Sequence, residues 1–134
     1  MLPVTVDDVR LFFHILGATI WVGGQLVFLA LVPVLRRLGP DALRPVAQQL
    51  TWVLWTGFAV LIVTGMWNIM AVNPGNQSHA YQTTLAVKLG VVAISGIAAG
   101  VHMIVTGPRA RAVWGALTGI SALAALLLGI VLAG

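Results

Sequence analysis

Charge is kept out of almost the whole of this chain. Its seven Lys and Arg and three Asp and Glu sit at the amino terminus or in two short breaks between apolar runs, with one exception, Lys88. A helix that crosses the ~30 Å hydrocarbon layer of a bilayer needs about 20 apolar residues. Four runs reach that length, at about 9–35, 46–72, 83–105 and 112–133. The breaks between them, Arg36-Arg37-Leu38-Gly39-Pro40-Asp41, Asn73-Pro74-Gly75-Asn76 and Thr106-Gly107-Pro108-Arg109, are rich in turn formers. In lipid the backbone must satisfy its own hydrogen bonds, so each run is expected to be a helix, and short connections make successive helices antiparallel neighbours. The expected fold is all-α: an integral membrane four-helix bundle forming one domain over residues 1–134.

Composition agrees, since 60% hydrophobic and 7% charged residues with a mean hydropathy of +1.03 do not describe a soluble domain with a charged surface. With no cysteine, disulfides, thiolate metal sites and cysteine nucleophiles are excluded. The basic residues flank apolar runs and act as topology signals, so no nucleic acid is expected as a partner. Arg36, Arg37 and Arg44 flank the first break and Arg109 and Arg111 the third, whereas the second carries none. Both termini are then expected on the outer side of a bacterial-type cytoplasmic membrane, in a multi-pass protein whose main partner is the lipid bilayer. An acidic start at Asp7 and Asp8 followed by so long an apolar run predicts a retained first span and not a cleaved signal peptide.

Polar residues inside the runs mark the candidate site. His14, Asn68 and Lys88 all fall in the outer third of their spans under this topology. At ~100° per residue, His14, Trp21 and Gln25 share one face of the first helix, and Thr84, Lys88, Ser95 and His102 form one stripe along the third. An ionisable group within a span usually faces a bundle interior, a partner or a pathway. Each residue also has a plain reading. Lys88 can snorkel to the headgroups, His14 can be an interior histidine bonded to a carbonyl, His102 can sit at the interface, and loop exposure accounts for His79. Trp52, Trp67 and Trp114 near span ends suit an aromatic belt, whereas Trp21 lies deeper. Gly96 with Gly100, and Gly115 with Gly119, are spaced for close helix packing. The fourth helix, with only Thr118 and Ser121 among Ala, Leu and Gly, reads as a packing element.

Two cofactors suit these residues. His14 and His102 lie near opposite ends of helices running in the same direction, ~20 Å apart along the membrane normal, so the pair does not ligate one haem. Haem b on His14 alone remains open, and Lys88 would then pair with a propionate. Cu(I) is the other candidate, because thioether and imidazole ligands suit it. Met66 and Met70, one turn apart, would join His14 and His79 in an outward-facing metal site, although methionines at that spacing are ordinary core filler as well.

The run Phe13-His14-Ile15-Leu16-Gly17-Ala18-Thr19-Ile20-Trp21-Val22-Gly23-Gly24, followed by Leu31-Val32-Pro33-Val34-Leu35-Arg36-Arg37, resembles the first helix of the copper-resistance D (CopD) family. Thr64-Gly65-Met66-Trp67 and Lys88-Leu89 extend the resemblance over roughly residues 10 to 105. It implies copper uptake or tolerance, often beside a periplasmic copper carrier. A more distant likeness is to the J-type protoporphyrinogen oxidases, whose haem-associated four-helix pattern His14, Lys88 and His102 match. Here Pro33 is followed by Val34-Leu35 before Arg36, where those oxidases have Pro-Arg adjacent.

The sequence thus predicts a CopD-like membrane protein that binds copper in an outward-facing pocket of His14, Asn68 and Lys88, roofed by Trp21 or Trp67, with His102 as a further cofactor-binding candidate. The alternative is a haem b-binding membrane redox protein with a membrane redox partner. If that protein is an enzyme, it is a haem-dependent oxidoreductase. A second alternative is a structural or assembly subunit, homo-oligomeric or in a larger complex. The spans contain no carboxylate pair, phosphate loop or Ser-His-acid arrangement, which argues against hydrolase or kinase-like activity.

Overall fold

The computed structural model describes residues 2–134. Among them every regular element is helical, and four helices are long and apolar enough to cross a membrane: Val6–Leu38, Pro40–Val72, His79–Ile104 and Pro108–Ala133. At 1.5 Å per residue the first two, 33 residues each, are about 50 Å long and outreach the hydrocarbon layer. Four apolar helices of this length make the chain a multi-pass membrane protein.

The helices extend past the apolar runs because local chemistry at their ends is favourable. Thr5 caps the first helix: its hydroxyl accepts from the Asp8 backbone N–H, while the Asp8 carboxylate accepts from the Thr5 N–H at 2.8 Å, a capping box. Arg36 and Arg37, expected in a loop, form the last turn of that helix. The break shrinks to Gly39, whose φ of 100° reverses the chain, and Pro40 starts the second helix. A Gly just past one helix and a Pro opening the next is the usual asymmetry of helix ends. Ser78 caps the third helix by accepting from the Tyr81 N–H, so the helix begins at His79 and not near Thr83. Pro108 opens the fourth helix four residues earlier than the apolar run suggests.

The chain divides into two compact units between Val72 and Asn73. The first unit is a hairpin of the Val6–Leu38 and Pro40–Val72 helices. Its backbones touch: a Cβ on Gly17 would lie 2.9 Å from the Gly57 carbonyl oxygen and 3.0 Å from the Leu61 nitrogen. Just beyond, Thr19–Gly23 is a π-helical turn inside the first helix. Such a turn disturbs the regular ladder, and the Gln25 side-chain amide donates to the Trp21 carbonyl at 2.7 Å. Gln25 therefore serves its own backbone. Trp21 and Val22 of the π turn are buried, and the Trp21 ring packs 4.4 Å from Phe58 and 5.5 Å from Trp55, centroid to centroid.

The second unit is the hairpin of the third and fourth helices, whose interface is made of small residues. Ser95, Ala98, Thr118, Ser121 and Ala122 are buried, and the Ser95 hydroxyl donates to the Thr118 carbonyl at 3.0 Å. Ala, Ser and Thr provide the close approach here, and a Cβ at Gly100 would meet nothing within 4 Å. A glycine contact of backbone on backbone, Gly17 on Gly57, lies in the other hairpin.

Candidate functional site

The first hairpin carries His14, Trp21, Met66, Asn68 and Met70, and the second carries Lys88 and His102.

His14 meets the second helix through a fixed contact. Its Nδ1 lies 3.0 Å from the Thr64 hydroxyl. Thr64 is buried, and its own hydroxyl proton is directed to the Val60 carbonyl at 2.6 Å. With the Thr64 hydroxyl donating to the Val60 carbonyl it accepts from His14, and in that arrangement Nδ1 carries the imidazole proton and Nε2 the lone pair. The next residue, Gly65, seats the ring: a Cβ there would stand 3.4 Å from His14 Cε1. The Thr64-Gly65 pair thus supplies an acceptor and a clearance on consecutive positions.

One turn towards the amino terminus on the same face lies Arg10, which composition alone assigns to the terminal charges. It is 7% exposed. Its Nη1 is 3.2 Å from the exposed Asp7 carboxylate, but no N–H of Nε or Nη1 is aimed so as to make a hydrogen bond. In the antiparallel hairpin, the step from His14 back to Arg10 matches the step from Thr64 on to Asn68. The Asn68 Oδ1 is also buried without a hydrogen-bond partner. The sequence signal that places Arg10 on this stripe is its i, i+4 spacing to His14.

Met66 and Met70 are not brought to this stripe. They follow Thr64 by two and six residues, about 200° and 240° around the helix, and are 60% and 73% exposed. His79 is an exposed first residue of the third helix. Among the described residues no group of three or more His, Asp or Glu side chains is placed to hold a metal ion.

In the second hairpin the Lys88, Ser95 and His102 stripe faces the fourth helix. A Cβ on Gly129 would lie 3.1 Å from Lys88 Nζ, so the ammonium rests against a glycine. His102 repeats the pattern of His14. Its Nδ1 is 2.8 Å from the Arg111 carbonyl, which can only accept, and its ring lies over Gly115, 3.2 Å from Cε1 to a built Cβ. The exposed Arg111 itself donates from Nε to the Val105 carbonyl at 2.8 Å, closing the end of the third helix. Thr84 donates to its own helix at Ala80.

Compared with protein-family models, curated proteins and solved structures, the chain matches none.

Proposed function

We propose that this chain is a haem b-binding redox protein of the membrane, in which His14 would hold the haem iron. The observation that carries the reading is the bond between His14 Nδ1 and Thr64. A ligating imidazole characteristically donates its other N–H to a fixed acceptor, which sets the tautomer, orients the ring and raises the basicity of the ligating nitrogen. Thr64 takes that role and Gly65 leaves room for the ring. The residues therefore fit a single-histidine haem.

Haem, when bound, supplies a one-electron couple. What the protein supplies is position and dielectric. Thr64 holds the ring through a hydroxyl that also reaches the Val60 carbonyl, and Trp21, Trp55 and Phe58 pack as an aromatic cluster farther along the hairpin. Oxidoreductase chemistry of the kind that the J-type protoporphyrinogen oxidases perform is the activity this reading favours.

Copper is less well supported by the geometry, because Met66 and Met70 face away from the stripe that meets His14. The CopD resemblance and the copper role it implies rest on the sequence motifs alone. The orientation with both termini outside rests on the basic residues around the first and third breaks.

Titration of haem into detergent-purified protein tests the reading. Wild-type protein should bind about one equivalent and His14→Ala should lose it. Equal stoichiometric binding by His14→Ala removes His14 from the site.

A further inference from the structure

Buried, charged and short of hydrogen bonds, Arg10 is the least satisfied side chain of the first hairpin. A guanidinium that is 7% exposed with Nε and Nη1 making no hydrogen bond is costly unless an acceptor reaches it. Asp7 does not fill that need: its carboxylate is mostly exposed, and at 3.2 Å it gives Nη1 a charge contact without an aligned N–H. At the same level of the hairpin the Asn68 amide also holds a buried atom without a hydrogen-bond partner. Side-chain amide oxygen and nitrogen are exchanged by a simple flip, so Asn68 can present either an acceptor or a donor at that place.

These two residues lie one turn from His14 and Thr64, towards the end of the hairpin at which the first helix begins. The displacement is about 6 Å along the helix axis. A ligand that spans both levels needs an apolar body at His14 and an anionic group at the Arg10 level, nearer the membrane surface.

We infer that Arg10, with Asn68 at the same level of the hairpin, forms a carboxylate-binding subsite for the ligand held at His14. This deepens the haem reading and rests on it: the carboxylate is a porphyrin propionate, and Arg10 is the cation on the His14 stripe that receives it. Arginine suits the task because its charge is permanent and its donors are planar and several. The carboxylate gives a hydrogen-bond acceptor to N–H groups that otherwise have none. The Asn68 amide completes the contact directly or through water.

The test compares haem with haem dimethyl ester, in which both propionates are neutral, by titration into purified wild-type, Arg10→Gln and Arg10→Lys protein. Wild-type protein should prefer haem by about tenfold or more, the scale of one charge-assisted hydrogen bond. Arg10→Gln should bind the ester as wild type does and lose the preference for haem, and Arg10→Lys should keep part of it. Wild-type protein that binds both porphyrins equally overturns the subsite and leaves the haem reading standing. A preference for haem that survives in Arg10→Gln does the same. Wild-type protein that binds neither porphyrin overturns the haem reading, and the subsite with it. Because the wild-type comparison needs no variant, the inference stays open to refutation if Arg10→Gln does not fold.

Discussion

His14 and Thr64 are joined across the first hairpin at 3.0 Å, and a third group, the Val60 carbonyl, competes for the threonine proton. Thr64 also lies 2.6 Å from the Val60 carbonyl, and while it donates there it accepts from the histidine. In that arrangement one threonine sets the tautomer of the imidazole and ties two apolar helices together within a membrane-length hairpin.

Replacing Thr64 by Val keeps the shape and removes the acceptor. The stranded His14 N–H should lower stability by about 1–3 kcal/mol, read as a lower melting temperature in detergent. Haem affinity should fall about 10–100-fold, the usual effect of losing the group that orients a ligating histidine. Thr64→Ser should restore much of both, since it returns the hydroxyl. Unchanged haem affinity in Thr64→Val would show that the bond is structural only.

Gly17 should tolerate no side chain. A Cβ there runs into backbone atoms of Gly57 and Leu61, which cannot rotate away, so Gly17→Leu should force the hairpin apart and destabilise the protein by about 1–3 kcal/mol or more. Gly100→Leu is the control. Its Cβ has open space, and the melting temperature should move little. Equal losses in both variants would mean that added side-chain bulk in general, and not the Gly17 contact, sets the response, since Gly to Leu favours the helix by propensity.

Met66→Leu combined with Met70→Leu should leave both stability and haem binding close to wild type. The two side chains are exposed on the far side of the helix from Thr64, and a Met to Leu change conserves volume. A loss of Cu(I) binding from a wild type that binds it stoichiometrically would return these methionines to a functional role.

The spans were legible because apolar runs of membrane length leave little choice of structure, and the histidine and lysine stood out as polar residues within them. Helix ends were less legible, because they depend on caps outside the apolar pattern: the Thr5 and Asp8 pair, Gly39 before Pro40, and Ser78. Arg10 was hidden by its place at the margin of a run, where a charge ordinarily means solvent, although it shares a face with His14. Met66 and Met70 share a face with each other, but the contacts of the first helix with Gly57, Phe58, Leu61 and Thr64 show that another face of the second helix meets it. The Gly-rich pairs of the third and fourth helices suggested close packing. Of these, Gly115 seats the His102 ring while Gly100 meets nothing, and Ser95, Ala98, Thr118, Ser121 and Ala122 supply the buried small side chains of that interface.

The most direct test of the central claim, that His14 holds a haem, is the visible absorption spectrum of the detergent-purified protein as isolated and after reduction. The account predicts a Soret band near-stoichiometric with protein that shifts on reduction and is absent from His14→Ala. A featureless spectrum from wild-type protein expressed with ample haem would contradict it.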